Sequence, residues 1–197
     1  MATSSVTSGN PIPDSTALVH DYLLVLRGAE RTFAAIADLF PAAPVFTTLY
    51  SEEGTGGQFA GREVAQSWLS RFGVGQQGFR RLLPLYAGAV ERLPVSGFEL
   101  VVSSSSAFAH GVRPASNAVH VCYCHSPFRY AWHERARALE ETPRLLRPVM
   151  SQFLDRARRW DLEASRRVTA YVANSAITRA RIGDFYGRES VVVHPPV

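Results

Sequence analysis

Short apolar runs and longer stretches of helical periodicity alternate along the whole chain, and this alternation constrains the fold more than any single residue does. Thr16–His20, Val45–Leu49, Phe98–Ser103, Ala118–Tyr123, Ala170–Ala173 and Val191–Val193 read as strands. Between them, Phe33, Ile36, Ala37 and Phe40 fall on one face of a helix that ends at Pro41. Ser51–Gly57, rich in Gly and Glu, reads as a loop, and the stretch Gln66–Val95 is mixed. Phe79–Arg92 reads as helical, with Pro84 limiting where it starts, and Ala176–Tyr186 is a further helix. Strand, helix, strand in repetition makes βαβ units. The expected fold class is α/β, a Rossmann-like parallel sheet with helices on both faces.

The longest helical pattern runs from Pro143 to Val168. Leu145, Val149, Phe153, Ala157, Trp160, Ala164 and Val168 recur every three or four residues, which predicts one apolar stripe facing a core. Arg144, Arg147, Arg156, Arg158, Arg159, Arg166 and Arg167 occupy the rest of that helix, and Pro148 marks its expected start.

With 197 residues the chain has room for one substantial core and not for two full domains. No apolar run approaches the roughly 20 residues of a membrane span. Residues 1–15 are small and polar with two prolines and lack the features of a secretory signal, so a disordered tail precedes a domain spanning 16–197. Cys122 and Cys124, one residue apart on one strand, are not placed to form an unstrained disulfide, which agrees with a reducing, cytoplasmic compartment.

Charge is uneven. All 21 basic residues are arginine, and the formal net charge is +4. Residues 1–126 hold eight arginines against nine acids (−1), and residues 127–197 hold thirteen against eight (+5). Such a portion suits phosphate groups of a nucleotide or of anionic lipid, or else it is a solvated face. Nucleic acid is disfavoured, because the aromatics do not interleave with the arginines as stacking platforms do.

Candidate site residues gather where the strands end. His20 and Asp21 close the first strand at the edge where open α/β sheets bind ligands, so Asp21 is either an acceptor of hydrogen bonds from ligand hydroxyls or a loop cap. Gly28, Ala29 and Glu30 open the first helix, where free N–H groups suit a phosphate. His125 follows a strand and precedes Ser126-Pro127, which predicts a place on the same edge. Arg129, Tyr130 and Trp132 suit a phosphate with a ring stacked on sugar or on a lipid-like stem, or else pack the base of the next helix. Ser104 and Ser105, within a serine run, and Asn174 and Ser175 read as cleft contacts or helix caps. The serine run lacks the Gly-x-Ser-x-Gly elbow of hydrolases. His120, Cys122 and Cys124 share one strand face without a second ligand pair in register, so no metal site is expected. No Gly-x-Gly-x-x-Gly follows the first strand, which disfavours a dinucleotide-binding domain.

Several segments in order carry a resemblance. His20-Asp-Tyr22, Arg27-Gly-Ala-Glu30, Phe40–Phe46, Phe98–Ser105, Cys124–Trp132, Trp160-Asp161, Ala173–Ser175 and Val193–Val197 together resemble the N-terminal half of the retaining glycosyltransferases of family 4, which have the GT-B fold. The resemblance implies the acceptor-binding half of a two-domain enzyme that transfers a hexose, with retention, from a nucleoside-diphosphate sugar to a glycan or a lipid-linked acceptor. The donor, a GDP- or UDP-hexose, is a substrate, and no tightly bound cofactor is implied. In the family a loop like Gly28–Glu30 lies near the donor diphosphate, and a histidine placed like His125 contacts the transferred sugar or the acceptor without acting as a covalent nucleophile. His125 is therefore the expected catalytic residue. The resemblance also implies a separate C-terminal donor-binding domain, absent from these residues, without which the chain is expected to be inactive. An enzyme acting on lipid-linked acceptors is expected at the cytoplasmic face of the inner membrane, its basic helix against anionic headgroups. The alternative is a non-catalytic module that presents the acceptor to a separate donor-binding chain.

Overall fold

A computed structural model describes residues 15–196. Most of the expected tail and the final Val197 lie outside the described residues; Ser15 itself is tied down, its carbonyl accepting from the N–H groups of Glu99 and Leu100.

Seven strands form one sheet in the order β3-β2-β1-β4-β5-β6-β7, every neighbouring pair parallel. They are β1 (Thr16–His20), β2 (Val45–Thr47), β3 (Val64–Gln66), β4 (Leu100–Ser105), β5 (Val119–Cys124), β6 (Ala170–Ala173) and β7 (Ser190–Val192). The helices are α1 (Gly28–Asp38), α2 (Leu83–Val90), α3 (Arg135–Glu140), α4 (Arg147–Ser165) and α5 (Ala176–Tyr186), joined by short 3-10 turns. The sheet is Rossmann-like α/β, as the alternation of patterns predicts. Sequence reading misses β3, a three-residue edge strand whose side chains are at most half-buried, and α3. It places β4 and β5 one or two residues early.

Helices cover both faces because side chains alternate along each strand. Ala17, Val19 and Val101 point to one face and pack with Tyr86, Ala89 and Val90 of α2 and Ala157 of α4. Leu18 and Val102 point to the other, where Phe33 and Ala37 of α1 and Phe59 from the turns after β2 bury them. Arg62 closes this layer, its guanidinium donating to the carbonyls of Ala37 and Phe40 at the C-terminal end of α1. Burying these apolar side chains stabilises each layer by roughly 1.5–3 kcal/mol per large residue.

Cys122, Cys124 and Tyr171 join the first face and pack under Ile182 and Tyr186 of α5. Both cysteines are free and buried. Burial pushes the Cys122 thiol up to about 12 and the Cys124 thiol well above its ordinary value. The opposite face of β5–β7 stays open at its corner, with Val119 and Val191 exposed.

The stripe expected on α4 is only partly correct. Ala157, Ala164 and Val168 are buried, but Leu145, Leu146 and Val149 are bare, at 92, 56 and 67% exposure. The helix begins at Arg147, as Pro148 suggests, and its first turn projects past the layer that buries its middle. Leu154 and Asp161 are buried in that middle instead.

Candidate functional site

From β1 the chain steps through β2 to β3 on one side, and from β4 it steps through β5 and β6 to β7 on the other. Adjacent strands β1 and β4 therefore send their outgoing loops in opposite directions. That reversal opens a crevice at their carboxyl ends, the usual place for ligands in an open parallel sheet. His20 ends β1 directly beside Ser104 of β4, and His125 follows β5.

His125 is held from two sides. Its backbone N–H donates to the Ser105 carbonyl at 2.8 Å, and its Nε2 lies 2.9 Å from the Ser104 hydroxyl. The Tyr123 ring stands edge-on at 5.2 Å. Burial, reinforced by nearby His20, lowers its pKa to about 4, so the imidazole is neutral near pH 7. The Ser104 hydroxyl can donate to Nε2, which puts the ring proton on Nδ1 as a donor. Ser104 and Ser105, expected as cleft contacts or caps, are 1 and 3% exposed, and the Ser104 hydroxyl and the Ser105 carbonyl position His125.

His20 and Asp21 differ from the expectation that they contact acceptor hydroxyls. His20 is buried, stacked on Phe33 at 4.8 Å, with its pKa lowered by burial to about 3 and Nδ1 unpartnered. It forms the floor behind His125, the two rings 6.5 Å apart. Asp21 is 2% exposed, and its carboxylate accepts four backbone N–H groups. Oδ2 takes Ser106 and Ala107 at 2.6 and 3.1 Å, and Oδ1 takes Phe108 and Ala109 at 2.8 and 2.6 Å. Its lone pairs are spent on capping the turn after β4, and none is left for a ligand.

The opening of α1 splits in two. Gly28 is exposed, a Cβ added there meets nothing within 4 Å, and Ala29 beside it is half-buried, so the start of α1 is open to solvent at Gly28. Glu30 instead turns inward: it is 6% exposed, accepts the Arg27 N–H at 3.0 Å, and has its pKa raised mainly by burial. It is a cap rather than a ligand contact.

After His125 the loop also divides. Arg129 is exposed with its guanidinium 5.3 Å over the half-buried Tyr130 ring. Trp132 is not available for stacking on a ligand. One neighbour, Phe185, stacks on it at 4.7 Å, the Arg158 guanidinium sits 4.4 Å from the ring, and its indole N–H donates to Asp161 at 2.6 Å. Ser175 is the N-cap of α5, accepting from the Thr178 N–H at 3.2 Å and donating to Asn174 Oδ1 at 3.0 Å, so that pair serves the helix start.

Two hollows border this edge. An apolar groove of about 560 Å³ is lined by Leu83, Phe128, Tyr130, Val149 and Phe153, with Arg80 and Arg81 at its rim. A polar cavity of about 250 Å³ is lined by Ser106, Ser126, Arg129, His133, Glu134 and Arg181. Of these six, sequence reading singles out Arg129 and, within the serine run, Ser106; Arg181 lies within an ordinary helix, one of 21 arginines with nothing local to mark it. Among the described residues no three His, Cys, Asp or Glu side chains gather to hold a metal, and no helix is long and apolar enough to cross a membrane.

The family model described as Glycosyltransferase Family 4 matches residues 26–197, most of the chain. No curated protein matches it.

Proposed function

The chain belongs to glycosyltransferase family 4, and from that premise we propose that it is the acceptor-side half of an enzyme moving a hexose from a UDP- or GDP-sugar to a glycan or lipid-linked acceptor, with retention of configuration. The observation that carries the reading is His125: a neutral imidazole, fixed by Ser104, half-buried beside the crevice of a parallel sheet. A group with a pKa near 4 is a poor general base at neutral pH. It serves instead as a hydrogen-bond donor that orients the reacting sugar and steadies developing charge. The acceptor oxygen bonds to the anomeric carbon on the face from which the nucleoside diphosphate departs, and the departing phosphate oxygen takes the acceptor proton. The exposed start of α1 at Gly28 suits that diphosphate.

The apolar groove with its arginine rim favours an acceptor carrying an aliphatic stem. Exposed Leu145, Leu146 and Val149 beside exposed Arg144 favour peripheral contact with an anionic membrane surface, at the cytoplasmic face. On this reading the chain alone binds acceptor and transfers nothing, because the donor is held by a separate C-terminal domain.

The test is His125→Ala in the two-domain enzyme, assayed for transfer from the nucleotide sugar. Loss of one such donor is expected to lower kcat about 100-fold or more, with circular dichroism unchanged. Turnover equal to that of the unaltered enzyme removes His125 from the chemistry.

A further inference from the structure

We propose that the cavity of Ser106, Ser126, Arg129, His133, Glu134 and Arg181 grips the phosphate of a phosphorylated sugar or polyol, making the acceptor a phosphate ester. This deepens the family reading by naming the acceptor's chemistry, and it rests on that reading only for the word acceptor.

Three segments that leave the carboxyl edge build the cavity. Ser106 follows β4 and is fixed because its N–H is bound by Asp21. Ser126, Arg129, His133 and Glu134 belong to the loop after β5, immediately beyond His125. Arg181 comes from α5, one turn beyond Thr178, whose hydroxyl donates to the His125 carbonyl at 3.1 Å. That bond fixes the distance between Arg181 and the catalytic edge.

Among the described residues the two guanidinium groups have no carboxylate partner. Neither Arg129 nor Arg181 forms an ion pair there, whereas Arg62, Arg113, Arg135, Arg137 and Arg167 each do. Two guanidinium forks offer more donors than one carboxylate can accept, and a phosphate oxygen array fits them better. Both act on the same point: Arg181 and Arg129 each help to lower the pKa of His133, after burial. Glu134 supplies the complementary element, an acceptor for the hydroxyls of a sugar or polyol ring. The volume of about 250 Å³ is below the usual range for a whole drug-sized ligand, which suits a head group and not a nucleotide sugar.

The experiment is titration of this chain with inorganic pyrophosphate, α-glucose 1-phosphate, glucose and acetate, followed by Arg side-chain and backbone NMR shifts. Pyrophosphate and glucose 1-phosphate are expected to move the Arg129 and Arg181 signals, with glucose and acetate weaker by about 10-fold or more. Arg129→Gln and Arg181→Gln are each expected to weaken phosphate binding about 10-fold, the effect of losing about 1.4 kcal/mol. Arg179→Gln, the same charge change on exposed α5 surface, is expected to leave it intact. Equal loss with Arg179→Gln reduces the effect to general attraction and overturns the site, as does glucose binding as tightly as its phosphate. Phosphatidic acid vesicles identify the source. Sedimentation that is lost in Arg181→Gln gives a lipid-borne phosphate; vesicle indifference with retained glucose 1-phosphate binding gives a soluble one. Failure of every phosphate probe sinks this site and leaves the transferase reading to the His125→Ala assay.

Discussion

Asp21 and Asp161 are both sealed from solvent, at 2 and 0% exposure, and both join segments far apart in sequence, yet they do so through opposite kinds of partner. Asp21 binds four backbone N–H groups of residues 106–109. Asp161 binds three side chains: His110 Nε2 at 2.9 Å, the Trp132 indole at 2.6 Å and the Tyr186 hydroxyl at 2.7 Å. Backbone donors belong to any sequence, so Asp21 itself makes no demand on the side chains of residues 106–109. Side-chain donors belong to three particular residues, so α4 is interlocked by identity with the turn after β4, the loop after β5 and α5. The first arrangement fixes the crevice floor, and the second fixes the wall that carries His125 and Arg129.

The comparison breaks most readily at Asp21. Asp21→Ala strands four N–H groups that cannot swing elsewhere, and a loss of about 4 kcal/mol or more is expected from urea unfolding. Asp161→Ala leaves donors that can rotate toward water or one another, so about 2–3 kcal/mol is expected, with altered near-ultraviolet dichroism from Trp132. If Asp161→Ala costs as much as Asp21→Ala, side-chain donors are as captive as backbone ones and the contrast fails.

Trp132→Phe sharpens the second half of the comparison. It removes the N–H bonded to Asp161 and retains a ring to stack on Phe185. A loss of about 1–2 kcal/mol is expected by thermal unfolding, with acceptor binding unchanged. Weakened acceptor binding at unchanged stability would return Trp132 to the ligand.

Acid acts more gradually. His20 and His120 are held to about 3 and His125 to about 4, all below the ordinary 6.5 because burial disfavours the charged ring. The unfolded chain takes up protons that the native state refuses, so stability falls as pH drops through about 6.5 and continues falling toward about 4. Urea midpoints should decline steadily between about pH 7 and about pH 5; a flat profile over that range contradicts neutral burial of these rings.

Much of the fold was legible, because strands and helices are written locally. β1 and α5 have the bounds that apolar runs and caps predict. The stripe on α4 misled at Leu145 and Val149, since periodicity gives a face and says nothing of how far the neighbouring layer extends. Of the expected site residues, His125 lies at the carboxyl edge, as the end of its strand suggests, and Arg129 lines the polar cavity. Asp21 and Trp132 looked like ligand contacts because chemistry-bearing types at a loop read alike whether their partners are a ligand or the fold. The cavity with Arg181 is assembled from two loops and a helix, and no local pattern reports such a meeting.

The two cysteines have a use of their own. A thiol reacts through its thiolate, and Cys122 and Cys124 are buried under α5 with their pKa values raised. In the folded protein they are expected to stay unlabelled by maleimide dyes. A single cysteine introduced on a surface loop becomes the one handle a fluorophore finds, and the native molecule serves as its own thiol-free background for measuring loop distances in solution.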